Sequence, residues 1–470
     1  MSGFVLGVDL ATAQARAVAL DLDTGLLRAV RSTPLPAPVR GPDGRSEQVA
    51  DYAAAAREVI GAVAADLGPA ATGIRALSIT GTSGTVVPCD GDGRPVGDAI
   101  VYDDRRGDRQ RSMLRDAGVD PATTSALARI GWLAAHRPAP RYRATVDVAS
   151  AALGGPDLPS DTSHHLKAGI DPVAATWPAE LLAALQVDRA AVPDLVHPGL
   201  VVGAVLPAVA TELGLPPGVA LVSGMTDGCT AQIAAGSVRP GDTVGVLGTT
   251  LVLKAVADSA VADRGGAVYS HYAPDGRWWA GGASNAGAGV LATEYADADL
   301  AGLDHAAELH GPARGLRYPL AGTGERFPVA DPELHGFRIG GDGDSVDDYR
   351  ALLDGVAFTE RCGLELLGAL GVPPGRHRLA GGATRSRVWN RIRATVLGVP
   401  VLIPANPISA LGAALLAASA FRREDLAVIV GLLLQPGVEV GPDPTTLALL
   451  ADRYQAWCAA LAAATSEHPQ

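Results

Sequence analysis

The sequence predicts an α/β protein of two domains, on three observations. The chain has 470 residues, more than one hydrophobic core serves well. Apolar residues make up 48% of it and charged residues 19%, the balance of a well-buried chain rather than a disordered one. Short apolar runs that read as strands alternate with amphipathic stretches that read as helices.

Charge and cysteine usage narrow the function classes. The net charge is −12 and no run of Lys or Arg occurs, which argues against nucleic acid and anionic membranes as partners. A phosphate-bearing ligand would have to be met by local N–H groups and a metal. Cys89, Cys229, Cys362 and Cys458 lie far apart without a Cys-x-x-Cys pair, so neither a zinc site nor a disulfide framework is expected. A reducing cytoplasm is the simplest setting. The first ten residues, MSGFVLGVDL, lack the basic start of a signal peptide. No apolar run approaches the length of a membrane span. A homodimer is compatible with the sequence but not fixed by it.

The chain opens on three strands in succession. Residues 4–9 form a short apolar strand ending in Asp9, 10–14 a turn, 15–21 a second strand and 26–32 a third. This antiparallel start differs from the strand–helix–strand opening of dinucleotide-binding folds. No GxGxxG or GxxxxGK[ST] occurs near it. Residues 48–67 read as an amphipathic helix and 74–80 as a strand, which runs into Gly81-Thr82-Ser83-Gly84-Thr85. A strand at 99–102 ends in Asp103-Asp104-Arg105-Arg106. Acids and amides as acceptors, with an aromatic wall such as Tyr102, suit a hydroxyl-rich ligand; a solvated Asp/Arg cluster opening a helix accounts for the same residues.

The most informative stretch is 221–254. The run 219–222 reads as a buried strand, Ser223-Gly224 breaks it, and Asp227 follows in a turn before a short helix over 229–235. A strand at 242–247 ends in Gly248-Thr249-Thr250, with 251–256 as its hairpin partner. A carboxylate at a strand end can accept a proton, and a Gly-Thr turn can present N–H and hydroxyl groups to phosphate. An ordinary Gly-rich hairpin with an exposed Asp fits the stretch equally well. Further on, helices are expected over 286–295, 347–370, 405–419 and 447–464. A strand ending at Leu379-Ala380 leads into Gly381-Gly382-Ala383-Thr384 and a helix containing Trp389. A helix N-terminus after such glycines suits phosphate or adenosine lying against backbone. No internal repeat is visible by residue identity.

The run Asp9-Leu10-Ala11-Thr12-Ala13-Gln14-Ala15-Arg16 resembles the first phosphate loop of the FGGY carbohydrate kinases. Asp9, Thr12 and Arg16 fit that pattern, whereas Ala11 stands where the family has Gly, placing a methyl group near the phosphates. Tyr102, Asp103, Asp104 and Arg106 resemble the family's sugar-pocket segment, Met225-Thr226-Asp227-Gly228 its catalytic turn, and 379–401 its adenosine motif. Gly81–Thr85, the segments 124–129 and 160–171, Gly281–Asn285 and the loop 324–332 are most similar to the D-ribulose kinase branch. The loop 324–332 is read as structural.

The resemblance implies two actin-like, ribonuclease-H-like ATPase domains facing across a central cleft, placed at 1–228 and 229–470. It implies ATP-dependent phosphorylation of a ketopentose, D-ribulose to its 5-phosphate, with Asp227 as general base. Ser83, Asp104, Arg106 and Asp227 would hold the sugar. Asp9, Thr12, Gly248, Thr249, Thr250, Gly381, Gly382 and Ala383 would hold ATP, and Asp9 and Asp227 would lie nearest a Mg²⁺ ion. Lys167, Trp132 and Trp177 are further pocket candidates. The alternatives are a D-xylulose or pentitol kinase of the same family, a non-catalytic actin-like ATPase, and a sugar-binding pseudokinase.

Overall fold

The computed structural model describes residues 3–116, 118, 121–263, 265–341 and 343–466. Contacts divide the chain into two units. The first comprises Met1–Val238, His271–Arg277 and Asn406–Gln435; the second comprises Arg239–Ser270, Trp278–Ala405 and Pro436–Gln470.

The first unit is built on a six-stranded sheet. β1 (Phe4–Leu10), β2 (Gln14–Asp21) and β3 (Leu27–Pro34) form an antiparallel meander. β4 (Ile74–Gly81) runs parallel to β1, and β6 (Ala220–Val222) runs parallel to β4. β5 (Val201–Ala204) closes the edge, giving the order β5-β6-β4-β1-β2-β3. β1 is almost wholly apolar because its sheet is covered on both faces. On one face α1 (Tyr52–Leu67) buries Val59, Ile60 and Val63 against Leu6, Val8, Leu77 and Ile79.

On the other face lies α6 (Ser409–Arg422). Its small residues permit a very close approach. A Cβ on Gly7 would sit 1.8 Å from the carbonyl oxygen of Ala410, and a Cβ on Gly412 would sit 1.8 Å from that of Thr230. A single cut at Gly228, as chain order suggested, therefore leaves α6 apart from the strand it packs on.

The second unit repeats the arrangement. β7 (Thr243–Leu247) pairs antiparallel with β8 (Leu251–Ala257), and β8 with β10 (Trp278–Ser284). β11 (His377–Ala380) runs parallel to β7, β12 (Val401–Ile403) parallel to β11, and β13 (Val438–Val440) antiparallel to β12. With β9 (Tyr269–Tyr272) at the edge, the order is β9-β10-β8-β7-β11-β12-β13. Thus the central strand of each sheet has a hairpin partner on one side and a parallel strand on the other. The repeat that residue identity hides is plain in the topology.

Several helix boundaries differ from the sequence reading. The stretch 48–67 splits into a strand, Ser46–Gln48, and α1, which starts only after Asp51. The helix placed at 286–295 is confined to Gly289–Glu294, because β10 runs on to Ser284 through Gly281-Gly282. The helix placed at 405–419 starts at Ser409. The helix placed at 229–235 starts at Asp227. Among the described residues, no helix is long and apolar enough to cross a membrane.

Candidate active site

In the first unit the candidate residues gather at the C-terminal ends of adjacent parallel strands, where ligands bind in open α/β sheets. Asp9 is the penultimate residue of β1, opposite Arg16 on β2 and Thr80 on β4. It is 8% exposed, and its Oδ1 has no hydrogen-bond partner. Burial, followed by the nearby negative charge of Asp227, pushes the Asp9 carboxyl up to about 7 against the opposing pull of Arg16.

The turn after β1 is closed by the Ala11 N–H donating to the Gln14 carbonyl at 3.1 Å. It is also held by a residue that the sequence reading put in a helix. Gln48 Nε2 donates to the carbonyls of Thr12 at 2.8 Å and Pro36 at 2.6 Å. The Tyr52 hydroxyl donates to Gln48 Oε1 at 2.8 Å. No motif pointed to Gln48; its only signal was an amide in an otherwise apolar stretch.

Asp227 is the first residue of α3 (Asp227–Ala234), with Thr226 as the cap residue. A carboxylate in a first turn is favoured by the exposed N–H groups there, and Asp227 Oδ1 accepts the Gly228 N–H at 2.7 Å. The backbone around it is fixed from several sides. Thr80 Oγ1 donates to the Met225 carbonyl at 2.6 Å, and Gly81 bridges to Thr226. The Thr226 N–H donates to Ser163 Oγ at 3.2 Å, and Ser163 Oγ lies 3.1 Å from His271 Nδ1. Ser409 Oγ donates to the Asp227 carbonyl at 3.2 Å. From sequence Ser163 reads only as part of the 160–171 segment, and its place beneath the Asp227 turn depends on long-range packing.

Ser83 follows β4, with its Oγ buried and without a partner. The next residue, Gly84, is held by Arg129 on α2 (Pro121–His136). Arg129 is 2% exposed; its Nε donates to the Gly84 carbonyl at 2.9 Å and its Nη1 to the Asp104 carbonyl at 3.4 Å. Burial lowers its pKa to about 10. One guanidinium thus ties the Ser83 loop to the Asp104 loop.

Asp104 itself is 1% exposed and fully engaged. Its oxygens accept the Ser46 N–H at 2.7 Å, the Arg106 N–H at 3.0 Å and Arg106 Nη2 at 2.7 Å. Arg106 in turn bonds Glu47 at 3.0 Å and lies 4.4 Å over the Trp132 ring.

The neighbouring candidates are placed differently. Tyr102 is an exposed residue, Asp103 pairs with Arg40 at 3.0 Å at the surface, and Trp177 lies in a core cluster with its Nε1 donating to Pro193. Lys167 lies beside Gly84.

In the second unit Gly248-Thr249-Thr250 forms the turn between β7 and β8, with Thr249 exposed. Gly381, at the end of β11, has φ +90°, and a Cβ there would lie 2.3 Å from the Leu247 carbonyl oxygen. Only glycine lets β11 approach β7 so closely. The Gly248–Thr250 turn and Gly381-Gly382-Ala383 therefore sit at the same, C-terminal end of the parallel strands β7 and β11. Ser386 caps α5 (Arg387–Leu397) by accepting the Trp389 N–H at 3.0 Å. Below them a buried trio, Glu360 with Arg393 at 2.6 Å and His377 at 3.0 Å, ties α4 (Ser345–Ala369) to α5 and β11.

A central parallel pair flanked by an antiparallel hairpin, present twice, with a carboxylate pair in one half and a Gly-Thr-Thr turn in the other, defines a two-domain sugar-kinase fold. The profile of the "FGGY family of carbohydrate kinases, N-terminal domain" matches residues 4–141, and that of its C-terminal domain matches residues 243–421. The chain belongs to the FGGY family of carbohydrate kinases, which use ATP as phosphate donor.

It is 30% identical over 456 residues to the xylulose kinase of Streptomyces rubiginosus, covering 90% of this chain and 89% of that one. Among solved structures it resembles a xyloylose kinase from Brucella ovis (25% identity, TM-score 0.89, covering 98% and 99% of the two chains). It also resembles the xylulose kinase of Rhodospirillum rubrum (27% identity, TM-score 0.85, covering 98% of each).

Proposed function

We propose that the protein transfers the γ-phosphoryl group of ATP to the terminal hydroxyl of a ketopentose, converting D-ribulose to D-ribulose 5-phosphate. The observation that carries this reading is the pair of acids Asp9 and Asp227. They are close enough for the charge of one to raise the pKa of the other, yet they stand in different surroundings. Asp227, half-buried at a helix start, is the general base. It takes the proton of the terminal hydroxyl as that oxygen bonds to the γ-phosphorus and the bond to ADP breaks.

Asp9, buried with an unpartnered oxygen, has a carboxyl pushed towards protonation that the nearby Arg16 only partly offsets. That fits a nearby Mg²⁺, which would neutralise phosphate charge. Among the described residues no group of three or more His, Cys, Asp or Glu could hold a metal. A site with few carboxylates, completed by phosphate oxygens and water, suits Mg²⁺.

Thr12, Gly248, Thr249 and Thr250 position the phosphates, and Gly381, Gly382 and Ala383 lie against the adenosine. Ser83 offers its hydroxyl to the sugar, and Arg106, set by Asp104, adds a charged donor. In this reading the first unit holds the sugar and the first phosphate loop, and the second unit the nucleotide.

D-Ribulose is favoured by the run Gly81–Thr85 and by Leu166-Lys167-Ala168-Gly169, where Lys167 borders Gly84. A second reading, D-xylulose, is favoured by the names of the relatives. ADP release with Mg·ATP on D-ribulose, D-xylulose, L-ribulose, ribitol and glycerol decides between them. Highest kcat/KM on D-ribulose is the expected result. Preference for D-xylulose replaces the substrate, and no sugar-dependent turnover removes the kinase reading.

A further inference from the structure

The loop at 324–332, read from sequence as structural, carries a carboxylate whose bonding reaches the second phosphate turn. Glu325 is 3% exposed. Its Oε1 accepts the backbone N–H groups of Asn285 at 2.6 Å and Arg326 at 2.8 Å. Its Oε2 accepts the hydroxyls of Ser284 and Tyr318, each at 2.7 Å. Among the described residues no Lys or Arg side chain pairs with it; donors alone compensate its burial. The loop is locked a second time through Asn285, whose Nδ2 donates to the Gly324 carbonyl at 2.8 Å and whose Oδ1 accepts Arg326 Nε at 2.8 Å.

Ser284 ends β10 and Asn285 follows it, and the next four residues lie directly on the Gly248-Thr249-Thr250 turn. The Ala286 carbonyl accepts the Leu251 N–H at 2.9 Å. The Ala288 N–H donates to the Gly248 carbonyl at 2.9 Å, and the Gly289 N–H donates to the Thr249 carbonyl at 3.0 Å. A Cβ on Gly287 would lie 2.5 Å from the Thr249 oxygen, so the approach needs glycine.

In a planar trans peptide the N–H points opposite to the C=O. Turning the Gly248 and Thr249 carbonyls inward onto 288–289 therefore turns the Thr249 and Thr250 N–H groups the other way. Two neighbouring N–H groups presented together make an anion-binding concavity.

We propose that Glu325 is a positioning residue for ATP. By fixing Ser284 and Asn285 it sets segment 286–289, which in turn aims the Thr249 and Thr250 N–H groups at the phosphates. The inference rests on the reading of Gly248-Thr249-Thr250 as a phosphate loop. Misplacing such donors from a distance costs about 10- to 100-fold.

The experiment measures Mg·ATP affinity by titration calorimetry without sugar, beside steady-state KM values and thermal unfolding, for the full chain and three variants. Glu325→Ala is expected to weaken Mg·ATP about 10-fold or more while the sugar KM stays unchanged. Glu325→Gln is expected to restore affinity, because its amide oxygen can still accept the two backbone N–H groups and the Ser284 and Tyr318 hydroxyls can turn to accept from its NH₂. Tyr318→Phe, which removes one bond only, is expected to fall between and covers the case of an alanine variant that does not fold.

Equal Mg·ATP affinity in Glu325→Ala and the parent, or ATP and sugar constants that worsen together, overturns the proposal. A parent that binds Mg·ATP in a Glu325-dependent way but turns over no sugar leaves the proposal standing and sinks the substrate reading instead.

Discussion

The hairpin turns after β1 and β7 follow the corresponding central strand of each sheet, yet they are equipped differently. The penultimate residue of β1 is Asp9, facing Arg16 across the hairpin; that of β7 is Val246, facing Val252. The first turn is held by a side chain, Gln48, reaching to the Thr12 carbonyl. The second is held by backbone, from the close contacts of Gly381, Gly287 and Gly289. One scaffold thus carries an acid beside the first turn and only apolar side chains beside the second, which the proposed function would divide between proton and cation on one side and phosphate on the other. Duplication of a fold does not duplicate its chemistry, because the chemistry lies in two or three positions at the strand ends.

Removing the base should separate the halves most sharply. Asp227→Asn is expected to lower kcat by about 1,000-fold, in line with loss of a positioned base, while Mg·ATP affinity measured by calorimetry changes little. A variant that keeps its kcat would move the base elsewhere.

Next in size is Gly381→Ala, at φ +90° and 2.3 Å from the Leu247 oxygen. Strain of about 1–3 kcal/mol should lower the melting temperature and raise the KM for ATP, with the sugar KM unaffected. An equal rise in both constants would blur the division between the halves.

The Asp9 turn should also carry a pH signature that the Gly248–Thr250 turn, which has no titratable side chain, lacks. Asp9 titrates at about 7 when folded, above its ordinary value of 3.8. The folded state therefore holds a proton that the unfolded state has released between these values, and stability falls as pH rises through the window. Above pH 7 the ionised acid costs on the order of a few kcal/mol. Asp9→Asn is expected to melt higher than the parent at pH 8, with the gain gone below pH 4. Parallel melting curves across that range would show that Asp9 is not the group responsible.

Smallest is Gln48→Leu, which removes the hydrogen bonds to Thr12 and Pro36. A loss of about 1 kcal/mol and a several-fold rise in the KM for ATP are expected in a kinetic and melting comparison.

The elements that chain-local physics controls were legible. Both hairpins follow from strand runs separated by turns read at 10–14 and Gly248–Thr250, the first narrowing to 11–13 in the structure, and the small-residue helix α6 follows from Ala410, Gly412 and Ala413. Asp9, Ser83 and Asp227 stand at strand ends or just beyond them, as their motifs implied. What was hidden depends on distant partners. The start of α3 at Asp227 rather than Cys229 needs Thr80, Ser163 and Ser409 to fix the backbone before it. Gln48 was absorbed into the apolar periodicity of α1 although it belongs to a strand. Asp104 reads as a ligand acceptor, but its bonds are already filled by Ser46 and Arg106. Glu325 lies 40 residues from the β10 end it anchors, a separation that no local pattern reports.

The packing of α6 on β1 also bears on how the chain is made. Gly7 is made long before Ala410, whose carbonyl oxygen it packs against. Until then one face of the first sheet has no cover from its own chain. A nascent chain that has finished β1 to β6 is therefore an incomplete folding unit with an apolar surface bare, the kind of species that chaperones hold. N-terminal fragments ending before Asn406 should accordingly aggregate in expression, whereas fragments that regain residues 406–435 in trans should recover solubility.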